Sequence, residues 1–142
     1  MKVRDVMTKT VIGIGAEESV AVAARQLAYY NVGAMPVYGE DGRLCGMVTD
    51  RDLVIRCVAA GKRPEDTKVS QVMTGRVISA DADMDATEAA HLMGRQQVRR
   101  LPVTENGRLC GVVSLGDLAN REATAMDAAG ALGDITSNIS MR

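Results

Sequence analysis

At 142 residues with 46% hydrophobic side chains, the chain can bury about two-thirds of its unfolded surface in one compact domain. A net charge of −1, scattered basic residues, no Phe or Trp and three Tyr give no footprint or stacking platform for nucleic acid. No apolar run of 18 residues and no N-terminal signal core occur, so the expectation is a soluble, cytoplasmic protein with no membrane partner and three free thiols.

In chain order, Val3-Arg4-Asp5-Val6-Met7-Thr8 forms a short helical lead-in, and Val11 to Ile14 is an apolar run of strand type. Glu17-Glu18-Ser19 opens a helix with Ser19 as N-cap and acidic residues at its positive end. Val20, Ala24 and Leu27 form its apolar stripe, and Asn31 and Gly33 end it by tolerating left-handed backbone. Met35-Pro36-Val37 begins a second strand; its proline donates no ladder hydrogen bond, which suits a strand start or edge. Glu40-Asp41-Gly42-Arg43 is a hairpin turn, Leu44 to Thr49 the third strand, and Asp50 to about Ala60 a helix stopped by Gly61.

Residues 63–68 are a polar linker, after which the order returns. Val77 to Ser79 is a strand, and a helix from near Asp83 carries the stripe Ala86, Ala90 and Met93. Strand Leu101-Pro102-Val103, turn Glu105-Asn106-Gly107, strand Leu109 to Ser114 and a helix from Leu115 to about Ala123 follow. The tail, 126–142, has room for a short helix around Ala128 to Leu132.

The correspondence is literal in places. Val3 to Thr8 returns as Val69-Ser70-Gln71-Val72-Met73-Thr74, and Arg43-Leu44-Cys45-Gly46 returns unchanged as Arg108-Leu109-Cys110-Gly111. The offset is 66 residues through the prolines and 65 afterwards. The expected class is therefore α/β, with two pseudo-twofold-related β-α-β-β-α repeats, each a small three-stranded sheet packed with helices. The repeats are 1–62 and 69–125; each is marginal alone, so the two are expected to share one core as a compact module.

Both third strands end on a hydroxyl followed three residues later by a carboxylate: Thr49 with Asp52, and Ser114 with Asp117. One reading is a capping box, which needs no ligand. The other is nucleotide binding, with backbone N–H groups and the hydroxyl toward phosphate and the carboxylate on ribose hydroxyls. Arg51 follows the first hydroxyl where the second copy has Gly116, while Arg99 and Arg100 precede the second proline strand where the first has Gly33 and Ala34. These arginines are phosphate donors or solvated surface charges, and for Arg100 a salt bridge is an equal alternative. Cys45 and Cys110 read as buried strand thiols, Cys57 as packing or dimer surface, and His91 as a structural helix-face histidine.

The lead-in Val-Met-Thr, the apolar-Pro-Val strand, the glycine turn and Gly-x-Val-Thr/Ser-x-x-Asp-Leu, each present twice, resemble a tandem pair of cystathionine-β-synthase (CBS) domains, the Bateman module. The resemblance covers residues 1 to about 120 and points to the small stand-alone two-CBS proteins of bacteria, some tied to stress or hypoxic response. It implies an adenosine-containing ligand, AMP, ADP or ATP, in clefts between the copies, with S-adenosylmethionine or NAD behind these, no required cofactor and no metal. By the same resemblance Asp52 and Asp117 hold ribose and Thr49 and Ser114 face phosphates. Thr10, Val11 and Ile12, with Arg76, Val77 and Ile78, wall the adenine, and Met35, Pro36, Leu101 and Pro102 add apolar surface. Lacking charge at Gly116, the Ser114/Asp117 site is the one where phosphate binding is most in doubt.

One histidine and no nucleophile or metal-ligand motif argue against an enzyme. A ligand-sensing homodimer that signals through its own conformation or an unidentified effector protein is expected, against the alternative of a ligand-free, stress-related interaction scaffold.

Overall fold

The structure, a computed structural model, describes residues 1–121 and 123–140; expectations that touch residue 122 or residues 141–142 lie outside these. The chain divides into two compact units, one of Ile12–Val77 and one of Met1–Val11 with the chain from Ile78 onward.

In the unit of residues 12–77, β1 (Ile14–Gly15), β2 (Ala34–Tyr38) and β3 (Leu44–Thr49) form a sheet in that order. The β1–β2 pair is parallel, joined through helix α1 (Val20–Tyr30), and β2–β3 is an antiparallel hairpin turned by Gly42 at φ 80°. Ser19 caps α1 as expected, its Oγ accepting from the Val22 N–H at 3.2 Å. Asn31 closes the helix at φ 53°, whereas Gly33 is not left-handed. The buried stripe is Val20, Ala23 and Leu27; Ala24, predicted to lie on it, is exposed, because an i, i+3, i+7 face meets the sheet here. Helix α2 (Asp50–Leu53) runs on into a π-helical turn, Val54–Val58, before Gly61 reverses the chain at φ 73°.

The other unit repeats this plan. Strands β4 (Ala80–Asp81), β5 (Arg100–Glu105) and β6 (Arg108–Ser114) form its sheet. Helix α3 (Ala86–Gln96) joins β4 to β5, capped by Asp85, whose carboxylate accepts from the Thr87 N–H at 2.9 Å. The predicted stripe of Ala86, Ala90 and Met93 is fully buried. Helix α4 (Leu115–Ala119) is shorter than expected, and the tail forms a 16-residue helix, α5 (Ala125–Ser140), in place of a short one around 128–132. Its length follows from packing: Ala128, Ala131 and Ile135 bury one stripe, and Gly94 of α3 lets it approach, since a Cβ there would stand 3.2 Å from the Ala131 Cα.

The compact units do not coincide with the sequence repeats, because the two lead-ins are exchanged. Val3 and Arg4 donate backbone hydrogen bonds to the carbonyls of Met84 and Ala82, both at 2.9 Å, in the second repeat. Val69 and Ser70 make the matching bonds to Glu18 (2.8 Å) and Ala16 (3.0 Å), in the first. Val3 and Val6 are buried in one core, Val69 and Val72 in the other. Each unit therefore holds its own hydrophobic cluster, completed by the lead-in of the other repeat. Periodicity identifies matching residues without saying which copy each one touches.

The lead-ins also cover the outer edges of the sheets. Thr74 exchanges backbone hydrogen bonds with Met47 of β3 (3.0 and 2.8 Å), and Thr8 does so with Val112 of β6 (2.8 and 3.0 Å). Since the N–H groups of Met47 and Val112 point outward, their cross-strand partners Pro36 and Pro102 sit in non-hydrogen-bonded pairs. Each proline's missing donor therefore falls on the side of β1 or β4. Parallel pairing is accordingly confined to Val37–Tyr38 and Val103–Thr104, beyond the prolines. This places both prolines in central strands, not at edges, and shifts β1 and β4 past the predicted 11–14 and 77–79.

Candidate functional site

Strands β3 and β6 end at Thr49 and Ser114, and each residue caps the helix that follows. Thr49 Oγ1 accepts from the Asp52 N–H, and Asp52 Oδ2 accepts from the Thr49 N–H, both at 3.0 Å. Ser114 and Asp117 repeat the pair at the same distances. Both junctions are closed capping boxes, each worth about 0.5–2 kcal/mol. What remains for a ligand is the second carboxylate oxygen. At Asp52 that atom faces Arg56 Nε at 3.9 Å, and Arg56 also donates to the carbonyls of Val72 (3.3 Å) and Met73 (3.2 Å). Asp117 has no salt bridge among the described residues, so its second oxygen is the freer acceptor.

Arg56 was missed in the sequence, although its i+4 spacing from Asp52 on a helix was the available signal. The contrast between the copies continues beside the hydroxyls. Near Thr49, a Cβ on Gly33 would stand 3.5 Å from Asp50 Oδ2, so a carboxylate flanks the strand start. Arg51 is exposed there. In the second copy Leu115 replaces that carboxylate, and Arg99 and Arg100 replace Gly33 and Ala34.

Arg99, Arg100, Ser114 and Gly116 line a groove of about 490 Å³, within the size range of small-molecule sites. No carboxylate lines it, and neither arginine forms a salt bridge among the described residues. The positive charge missing at Gly116 is therefore supplied from the strand start. Helix α5 supplies the opposite wall through Ala125, Ala128, Ala129 and Leu132, residues that sequence reasoning did not connect to the site.

Other predicted positions are placed differently. Met35 and Leu101 are 0% and 1% exposed and belong to the two cores, and Pro36 and Pro102 are buried as well. Thr10 and Val11 belong to one unit and Ile12 to the other, where it packs on the core; Val77 and Ile78 divide the same way in reverse. Arg76 is exposed.

Cys45 and Cys110 are half-buried, each packed against its own core, and Cys57 is fully buried rather than at a surface. Burial pushes the Cys45 and Cys110 thiols above the usual cysteine range, with nearby Asp41 adding to the effect on Cys45 and Glu105 on Cys110. At pH 8 both are therefore expected to react with iodoacetamide more slowly than a free cysteine, because only the thiolate attacks. Mass-spectrometric alkylation rates check this, and a rate matching glutathione would contradict it. His91 Nε2 donates a hydrogen bond to Asp127 Oδ1 at 2.9 Å, fastening α3 to α5.

A family model of the CBS domain matches residues 3–58 and again residues 69–124. The chain belongs to the CBS domain family. Among relatives, this CBS pair is similar to the uncharacterized protein YlbB of Bacillus subtilis (strain 168), 43% identical over 136 residues that cover 95% of this chain and 91% of YlbB. It is also similar to hypoxic response protein 1 of Mycobacterium tuberculosis, 37% identical over 82% of this chain and 81% of the relative. Of solved structures, Hypoxic Response Protein I with two coordinated zinc ions superposes at TM-score 0.76, 36% identity, covering 85% of this chain and 98% of that one. The CBS domain pair of protein MJ0100, in complex with 5-methylthioadenosine and S-adenosyl-L-methionine, superposes at TM-score 0.68, 27% identity, covering 84% and 93%.

Among the described residues of this CBS pair, no group of three or more His, Cys, Asp or Glu could hold a metal ion. No helix among them is long and apolar enough to cross a membrane.

Proposed function

We propose that this CBS pair is a regulatory module, not a catalyst, that binds an adenosine-containing ligand of the AMP, ADP or ATP class. The observation that carries the reading is the groove beside Ser114, lined by two arginines that form no salt bridge among the described residues and, among those residues, by no acid. Arg99 and Arg100 suit phosphate oxygens, which guanidinium groups bind through paired N–H donors. Asp117 does not line the groove itself; three residues after Ser114 and with one oxygen outside its capping box, it suits the ribose hydroxyls of a ligand that extends past the groove. Asp52, partly neutralised by Arg56, makes the Thr49 junction a weaker second candidate. The ligands in MJ0100 support the adenosine part of the reading, and the hypoxic response relative supports a stress-related role. The readout is conformational, through a homodimer or an effector protein; exposed Val54, Ile55 and Val58 give the dimer an apolar face to cover.

Calorimetric titration with ATP tests this. Asp117→Asn keeps an acceptor for the Ser114 N–H and so spares the cap, yet loses the ribose anion. It is expected to weaken ATP about tenfold or more, equivalent to roughly 1.4 kcal/mol. Asp52→Asn is expected to have the smaller effect. Equal affinity in wild type and both variants would sink the assignment. The closed capping boxes favour the rival reading, a ligand-free scaffold, for which neither substitution changes more than stability.

A further inference from the structure

We propose that the C-terminal helix α5 is a working wall of the anion site, so that a ligand held by Arg99 and Arg100 is read out as tighter docking of α5. The inference rests on the binding reading above and deepens it. The family match ends at residue 124 and α5 begins at Ala125, so this wall lies outside the CBS repeat itself. One face of α5 is docked through Ala128, Ala131 and Ile135, with Thr124 Oγ1 donating to the Leu118 carbonyl at 2.6 Å just before the helix. The adjacent face turns exposed Ala129 and Leu132 toward the groove that holds the two arginines.

Two features make this wall responsive. Among its described side chains the buried ones are small, two alanines and one isoleucine, and the solvent-exposed His91–Asp127 pair adds one polar tie to α3, a modest hold that favours local opening. The groove presents two cations and, among the described residues, no acid, so an anion seated there touches both the strand start and α5. A ligand that bridges two elements favours the state in which they are together. In the first repeat the equivalent junction instead leads into the π-helical turn Val54–Val58, and its strand start lies beside Asp50.

Amide hydrogen exchange of the full chain, with ATP, AMP or sodium tripolyphosphate, tests the inference. ATP is expected to slow exchange across Ala128–Ile135 about tenfold at saturating concentration, with the α1 amides as internal reference. Ala129→Glu, an exposed position facing the arginines, is expected to abolish the slowing, as is Arg99→Ala with Arg100→Ala; Ala129→Lys is expected to enhance it. An adenine ligand that binds yet leaves α5 exchange unchanged overturns this inference while sparing the proposed function. Protection by tripolyphosphate but not by ATP or AMP upholds the anion wall and overturns the adenosine reading. Absence of protection and of binding by all three probes overturns both.

Discussion

Val3→Ala is expected to destabilise the unit that contains the second repeat, and Val69→Ala the unit that contains the first. Each valine is 0% exposed and lies in the core opposite to its own repeat. Truncating a fully buried valine removes its transfer free energy and leaves a cavity, together about 2 kcal/mol. Exchange at the amides of Leu101 and Val103 should accelerate in Val3→Ala while those of Val37 and Val48 hold, and the reverse pattern should appear in Val69→Ala. Loss of protection within the valine's own repeat would contradict the exchange of lead-ins. The effect is large because a lead-in brings its backbone bonds with it: Thr8 and Val112, or Thr74 and Met47, pair only while it is docked.

The second large effect comes from two glycines. A Cβ on Gly111 would lie 2.6 Å from Met7 Sδ and 2.9 Å from the Thr8 carbonyl oxygen; on Gly46, 2.5 Å from Met73 Sδ and 2.9 Å from the Thr74 oxygen. The sulfur can move, but the carbonyl belongs to the bridge that holds the lead-in against the sheet. Gly46→Ala and Gly111→Ala are each expected to cost about 1–3 kcal/mol, the usual range for overpacking. For a chain of this size that lowers Tm by several degrees, on the order of 3–5 °C per kcal/mol. Gly130→Ala is the contrast, since no atom lies within 4 Å of its Cβ position in helix α5. There the gain in helix propensity should stabilise by up to about 1 kcal/mol. Thermal melts that rank Gly111→Ala at or above Gly130→Ala would contradict the close approach.

Most of the fold was legible because its signals are local. Ser19 as a cap, Gly42 and Gly107 in hairpins, and the run from Leu44 to Thr49 follow from propensity and turn chemistry within a few residues. The prolines were misplaced because their tolerance depends on which side of the strand lacks a donor, and that is set by Thr8 and Thr74, some 30 to 100 residues away. The same distance hid the exchange of lead-ins. The twice-written Gly in Arg-Leu-Cys-Gly was visible as a repeat, but its reason, a methionine and a carbonyl crossing over it, was not.

The site was legible in its residue types and not in its geometry. Thr49, Asp52, Ser114 and Asp117 were found from spacing, and the structure shows their capping role. Arg99 and Arg100 stood out as a difference between the copies, and they do converge on one groove. Helix α5 could not have been joined to them, because an Ala- and Gly-rich tail has a weak pattern and its place depends on Gly94. The family resemblance makes Met35 and Leu101 ligand surface, and the structure buries both in the cores of their units.

The most direct test of ligand sensing is thermal unfolding of the wild-type chain with and without AMP, ADP, ATP and S-adenosylmethionine. A ligand present at about 100 times its dissociation constant adds roughly 2.7 kcal/mol, a rise in Tm on the order of 5–10 °C. At least one of the phosphate-bearing ligands should produce that rise, and replacing Arg99 and Arg100 with alanine should remove it. Identical melting curves with every one of them, at concentrations up to a few millimolar, would contradict the account and leave the Thr/Ser-x-x-Asp turns as helix caps alone.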